Sequence, residues 1–176
     1  DTSTTSDQIQ GVINQFDNLK GKETEVVNIY EKISANLGID FAKGITQMSE
    51  AVSTAGSVVD AAGMKFSTFA ASTGKIAEKT RQDGSTIGNA YKTILARISR
   101  SKSADESVTD ADRSNASKAF SSVGISLYNS KGEYKDINET LDELSAKWAD
   151  LSDAQRNYVS EQAAGIRNIN TFTALM

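Results

Sequence analysis

Residues 83–98 read DGSTIGNAYKTILARI, and this stretch decides the fold. Its apolar side chains recur at intervals of three and four residues, the spacing of one face of an α-helix. We expect Ser85 to open this helix. Its inward face would carry Ile87, Tyr91, Ile94, Leu95 and Ile98. A helix with one apolar face needs partners that cover it, so the rest of the chain must supply them.

Upstream, the same spacing predicts four more helices. The chain contains no proline, so glycine is the residue that separates one helix from the next. We expect the first helix to begin after Ser6 or Asp7 and the fourth to be capped by Ser67. The ends of the four helices are marked by Gly21, Gly38, Gly63 and Gly84.

Downstream of residue 98 the pattern weakens and then changes. Residues 99–112 are polar and charged, with Val108 as their only large apolar side chain, and predict a mobile linker or loop. A short helix follows over 116–123 and stops at Gly124. Residues 125–137 alternate in character on both sides of a loop of turn-forming residues, which predicts a small β-hairpin.

Two further helices are indicated by their first residues. Asp136 and Glu139 have the spacing of a capping box, and Ser152 and Gln155 repeat that spacing. The chain stops at Met176 inside another apparent helix and lacks an initiator methionine. We therefore expect it to be cut from a longer protein.

The predicted fold is mainly α: an array of about seven or eight short helices joined by glycine-containing turns, with one small β-hairpin near 125–137. We expect a helical segment at 1–98, a polar linker or loop at 99–112, and a helical segment with the hairpin at 113–176, truncated at its C-terminus. A single straight rod is disfavoured because each of the 12 glycines inside it would cost about 1 kcal/mol relative to alanine.

The composition argues against catalysis. Histidine and cysteine are absent, so a serine lacks its usual base and no thiolate can act as nucleophile or metal ligand. No glycine cluster has a phosphate-binding spacing. Asp110, Asp112 and Ser114 resemble the start of a calcium loop that then lacks its glycine and its glutamate. We expect no enzyme, no catalytic, cofactor-binding or metal site, no cofactor and no small-molecule substrate.

Two groups of charged residues have a functional and a structural interpretation. Glu139, Asp142 and Glu143 could perform acid–base chemistry, but their spacing is typical of a solvated helix face. A compact basic cluster of Arg97, Arg100 and Lys102 could touch phosphates, but no aromatic residues are interleaved for stacking on bases. The net charge of −4 gives no general attraction to nucleic acid, so contact with DNA stays open.

Trp148 could anchor a partner protein. Its spacing with Leu141, Leu144 and Leu151 instead favours burial in the core. Residue types and spacing therefore predict a helical interaction module, and they do not identify its function.

Residues 83–98 closely resemble a motif in the core region of phage tail tape measure proteins. Downstream, several short stretches follow in the same order as in that family. These stretches are 123–126, 141–144, 151–155, 164–167 and 174–176. Upstream, residues 38–42 and 48–51 are similar as well, and the likeness weakens before about residue 35.

This resemblance implies a structural protein of a phage or prophage tail. Such a virion protein lies inside the tail tube, takes part in tail assembly and length determination, and later in DNA ejection, after a stage in the host cytoplasm. The implied partners are the tail tube protein, baseplate or tail-tip proteins, tail assembly chaperones and further copies of itself. Because the segment has the pattern of compact helices, we expect an assembly or terminal domain rather than the measuring stretch.

Other classes stay open on the residues alone. Abundant Ser, Thr and Ala without cysteine would also suit a bacterial surface or secreted helical interaction module. Apolar helical stripes can also lie on lipid, although no stretch approaches the roughly 18 to 20 apolar residues of a membrane span.

Overall fold

The computed structural model describes residues 2–99 and 105–176, and within them the chain is almost entirely helical. Nine α-helices occur in these residues: α1 (Thr2–Gln15), α2 (Glu23–Leu37), α3 (Phe41–Ala61), α4 (Phe66–Thr80), α5 (Gly84–Ile98), α6 (Asp110–Ser122), α7 (Ile137–Lys147), α8 (Asp153–Ala164) and α9 (Ile169–Leu175). Three short 3-10 helices cover Asp17–Leu19, Trp148–Asp150 and Ile166–Asn168. The prediction of a mainly α protein is confirmed, with somewhat more helices than expected.

Helix α5 is the central helix, since it packs against α3, α4, α6, α8 and α9. All of its expected inward residues are buried: Ile87, Tyr91, Ile94, Leu95 and Ile98. Its first turn is capped by Asp83 rather than Ser85, because the Asp83 carboxylate accepts a hydrogen bond from the Thr86 amide at 2.8 Å. A carboxylate there also complements the positive end of the helix dipole.

Two glycines let α5 approach α3 closely. At Gly88 an added Cβ would lie 2.8 Å from Thr54 Cβ and 3.1 Å from the Ala51 carbonyl oxygen. Gly84, one turn earlier, is still closer to α3. Residues 83–98 therefore decide the fold through their two missing side chains as well as through their apolar face.

The core is continuous between the first and last helices. Phe16, directly after α1, packs edge-on against Phe66 at 5.1 Å between ring centroids, and Phe69 packs in the same way against Tyr91 at 4.9 Å. Phe172 of α9 belongs to the same buried cluster. The expected division into segments at 1–98 and 113–176 stays a prediction.

Part of the predicted linker packs against the helices. Residues 100–104 of that linker lie outside the described residues. Val108 is buried, and Thr109 is the N-cap of α6, where it forms a reciprocal capping box with Asp112. The helix expected over 116–123 thus starts at Asp110, because its first turn is polar and looks like a loop by composition.

The predicted β-hairpin at 125–137 is wrong. Within the described residues this segment holds one isolated antiparallel bridge, between Tyr128 and Tyr134, and no strand. The Ser126 hydroxyl accepts a hydrogen bond from the Tyr128 amide and donates one to the Tyr128 carbonyl oxygen. Two backbone hydrogen bonds flank the bridge, from the Asn129 amide to Glu133 and from the Lys135 amide to Leu127, and the pairing stops there because Asp136 already caps α7. The Asn129 side chain then closes the turn by accepting from the amides of Lys131 and Glu133.

The predicted helix starts had mixed outcomes. Ser152 and Gln155 form the expected capping box of α8, and Asp136 caps α7. The first helix begins at Thr2, earlier than expected. Ser67 is not a cap, because α4 begins at Phe66 and has no side-chain cap.

Candidate functional site

The acidic residues of α7 lie in different environments. Glu139 and Asp142 are exposed. The Glu143 carboxylate accepts two hydrogen bonds from Lys135 Nζ, at 2.8 and 2.7 Å. The Lys135 side chain is only 13% exposed, so this ion pair fastens the segment before α7 to that helix. Glu143 thus serves the fold, and the other two carboxylates face solvent.

Arg97 lies where α5, α6 and α8 meet. Its Nη2 atom is 3.2 Å from Asp112 Oδ1, and its Nη1 atom donates to the Gln162 carbonyl oxygen at 3.0 Å. Gln162 is in the last turn of α8, where a positive charge complements the negative end of the helix dipole. We call Arg97, Asp112 and Gln162 the arginine clasp.

In the arginine clasp the charge of Arg97 is directed toward groups of the fold itself. The Arg97 side chain is 15% exposed and already holds two partners. The other members of the predicted basic cluster, Arg100 and Lys102, lie outside the described residues. Of the predicted cluster, only Arg97 belongs to the described residues, and it binds Asp112 and the Gln162 carbonyl oxygen.

Asp112 is held in its charged form by its neighbours. The Thr109 amide and hydroxyl both donate to Asp112 Oδ2 at 2.8 Å. These hydrogen bonds, with a smaller effect from Arg97, lower the pKa of Asp112 below its ordinary value. Asp112 thus caps α6 and binds Arg97 at the same time, a role unrelated to the calcium loop that its spacing suggests.

Trp148 packs at the edge of the core. Its ring lies 6.2 Å from the Phe172 ring in an edge-on arrangement, and its side chain is half-buried. The Trp148 carbonyl oxygen accepts a hydrogen bond from Arg156 Nε at 2.9 Å. Trp148 therefore joins the end of α7 to α8 and α9, as its spacing with the leucines suggests.

Sequence reasoning missed the exposure of Ile166. This side chain is 75% exposed and follows Gly165, which ends α8 at a φ of +76°. An added Cβ on Gly165 would lie 3.5 Å from Arg97 Nη2, so the turn packs against the Arg97 side chain of the arginine clasp. One feature of the sequence points to this position, because Ile166 falls within one of the stretches that carry the family resemblance. Its exposure depends on the turn geometry, which periodicity does not reveal.

Residues 2–99 and 105–176 contain neither a metal-binding group of side chains nor a membrane-spanning helix. No group of three or more acidic residues there is placed to hold a metal ion. No helix in this part of the chain has both the length and the apolar character needed to cross a membrane.

Comparison with known proteins gives a family match. A family model described as phage-related minor tail protein matches residues 1–165, which is nearly the whole chain. No solved structure matches the chain.

Proposed function

The chain belongs to the phage-related minor tail protein family, and from that premise we propose that it is a segment of a tape measure protein. The family supports a structural role in a phage tail. The proposed role covers tail assembly and length determination and later DNA ejection. The proposed locations are the host cytoplasm during assembly and then the interior of the tail tube.

The chain folds back on itself, and this observation supports the more specific proposal that the segment is an assembly or terminal domain. Drawn out as one helix, 176 residues would extend roughly 260 Å. Instead, α9 returns to pack against α4, and the Thr171 hydroxyl donates to Gln82 Oε1 at 2.8 Å across 89 residues. A folded segment of this kind adds little to the length that a tape measure protein spans. It therefore acts through the surfaces that it presents to other proteins.

Ile166 is the best candidate for such a surface contact. A large apolar side chain that is 75% exposed loses unfavourable contact with water when another protein covers it. Tail tube protein, baseplate or tail-tip proteins, assembly chaperones and further copies of the chain are the proposed partners. Family membership favours these partners over those of a bacterial surface module.

We further propose that the segment acts without catalysis. The absence of histidine and cysteine from the sequence supports this proposal, since the usual activated nucleophiles need one or the other.

Point variants in the phage test the proposal. Gly84→Val should unfold the segment, whereas Gly11→Ala should not, because no atom lies within 4 Å of a Cβ at Gly11. We expect Gly84→Val to reduce the number of tailed particles seen by electron microscopy, with the remaining tails of normal length. A normal number of tailed particles despite the unfolded segment would contradict an assembly role.

A further inference from the structure

Four basic side chains bind the carboxyl-terminal ends of neighbouring helices. Each of them donates to backbone carbonyl oxygens in, or directly after, the last turn of another helix. The donors are Arg113 of α6, Lys147 of α7, Arg156 of α8 and Arg97 of α5. Carbonyl oxygens at the end of a helix have no partner within that helix, so a basic side chain from elsewhere can bind them.

The first two contacts cover the ends of α5 and α6. Arg113 Nη1 donates to the Ala96 carbonyl oxygen at 3.3 Å, in the last turn of α5. Lys147 Nζ donates to the carbonyl oxygens of Val123 and Gly124, at 3.3 and 3.2 Å, directly after α6. Helix α6 thus binds the end of α5, and α7 binds the end of α6.

The other two contacts cover the ends of α7 and α8. Arg156 Nε and Nη2 donate to the carbonyl oxygens of Trp148 and Ala149, both at 2.9 Å, directly after α7. Arg97 Nη1 donates to the Gln162 carbonyl oxygen at 3.0 Å, in the last turn of α8. Because Arg97 lies in α5, the series returns to the helix where it began. We call Arg113, Lys147, Arg156 and Arg97 the capping ring.

The closure of the capping ring affects how a single helix can detach. In an open series, the last helix could leave by breaking one contact. In the capping ring, a helix that leaves loses both the side chain that it donates and the one that it receives. The side chains of Arg97 and Arg113 are 15% and 13% exposed, so a lost partner leaves polar groups poorly solvated. When α6, α7 and α8 leave together, these groups meet water instead.

Helix α5 is held separately from the other three. Gly84 and Gly88 bring it into close contact with the backbone of α3, where an added Cβ at either position would clash. The part of the capping ring that can move is therefore α6, α7 and α8, and α5 is the base on which they close.

We propose that the capping ring makes α6, α7 and α8 one conformational unit, which opens and closes on α5 as a whole. Loss of any one of the four contacts weakens the attachment of all three helices. This inference is independent of the proposed role in the tail, because the opening can be measured on the isolated chain.

Native-state hydrogen exchange of the 176-residue chain at low urea concentrations, followed by NMR, tests the proposal. The probes are the backbone amides of Phe120 in α6, Leu144 in α7 and Val159 in α8, all at buried residues. We expect these amides to share one free energy of opening and one urea dependence, both smaller than those of the Val52 amide in α3. Three different values, or values equal to those of Val52, would overturn the proposal.

Lys147→Met distinguishes a shared opening from local contacts. The Lys147 amino group donates to the end of α6, whereas Val159 lies in α8. We expect exchange of the Val159 amide to accelerate by about fivefold, together with the amides of Phe120 and Leu144. Lys118→Met is the matched control, because Lys118 is exposed on α6, and it should leave all three rates unchanged.

Arg156→Met gives the reciprocal test. Arg156 donates to the end of α7, yet its loss should accelerate exchange of the Phe120 amide in α6 by a similar factor. Unchanged exchange of Val159 in Lys147→Met, or of Phe120 in Arg156→Met, would overturn the proposal and show that each helix opens by itself. Either variant decides the question if the other does not fold.

Discussion

A Cβ atom on Gly84 would lie 1.9 Å from the carbonyl oxygen of Gln47, so the backbones of α3 and α5 are in direct contact at this point. The Gly84 amide also donates to Glu50 Oε2 at 3.2 Å, which ties the first turn of α5 to α3. No side chain can be added at Gly84 without separating the two helices. The family-like stretch 83–98 thus specifies how closely its helix packs.

Gly84→Ala should lower the free energy of unfolding by at least about 2 kcal/mol, because the clash is with backbone that cannot rotate away. Gly11→Ala should raise it by up to about 1 kcal/mol, since Gly11 lies in α1 with open space beside it and alanine favours helix. Urea unfolding followed by circular dichroism measures both. Effects of the same sign would contradict the close packing of α3 on α5.

Arg97→Met should lower the free energy of unfolding by about 1 to 2 kcal/mol, because Asp112 and the Gln162 carbonyl oxygen both lose a charged partner. Combined with Asp112→Asn, the loss should be less than the sum of the two single losses. Asp17→Asn is the control: its ion pair with Lys20 is exposed, and we expect no measurable loss. Additive losses at Arg97 and Asp112 would show that the clasp is not an energetic unit.

Acid should destabilise the fold through its capping aspartates. Hydrogen bonds from Ser85 and Thr86 lower the pKa of Asp83 to about 2, and those from Thr109 lower the pKa of Asp112. Both groups bind protons more readily in the unfolded chain, where the pKa is about 4, so their contribution is present above about pH 4 and is lost as the pH falls toward 2.

Urea unfolding at about pH 6, 4 and 2.5 checks this dependence. Asp83→Asn and Asp112→Asn together should flatten the fall in stability below about pH 4. If the free energy of unfolding falls equally steeply with pH in the double variant, other carboxylates cause the acid sensitivity.

Phe172→Ala should lower the free energy of unfolding by about 3 to 5 kcal/mol, because Phe172 is fully buried between α9 and the core. The emission of Trp148 should shift to longer wavelength, since its ring loses a neighbour 6.2 Å away and meets more water. Tyr158→Ala should change neither property much, because Tyr158 is 43% exposed. Unchanged Trp148 emission in Phe172→Ala would show that the two rings do not pack in solution.

The helices were predictable where local chemistry decides them. The inward face of α5 follows from its spacing, and Ser152 with Gln155 forms the capping box that the sequence predicts. Gly38 ends α2 in the left-handed conformation, as a glycine at that place indicates. Each of these features depends on residues within one turn of one another.

The remaining features depend on contacts between distant segments. Gly84 looks like the end of one helix by sequence, yet its role is set by Gln47. Arg97 looks like a surface cation in the sequence, but in the fold α6 and α8 pack beside it. The hairpin prediction was wrong because the pairing around Tyr128 and Tyr134 ends where Asp136 caps α7, so the alternation at 125–137 does not extend into two strands.

The tail length of a phage that carries residues 1–176 twice in tandem tests the central claim most directly. We predict that electron microscopy will show tails of the parent length, because a second folded segment adds no extended chain to a ruler. Tails longer by roughly 260 Å, the length of 176 residues drawn out as one helix, would contradict the account and make this segment part of the measuring stretch.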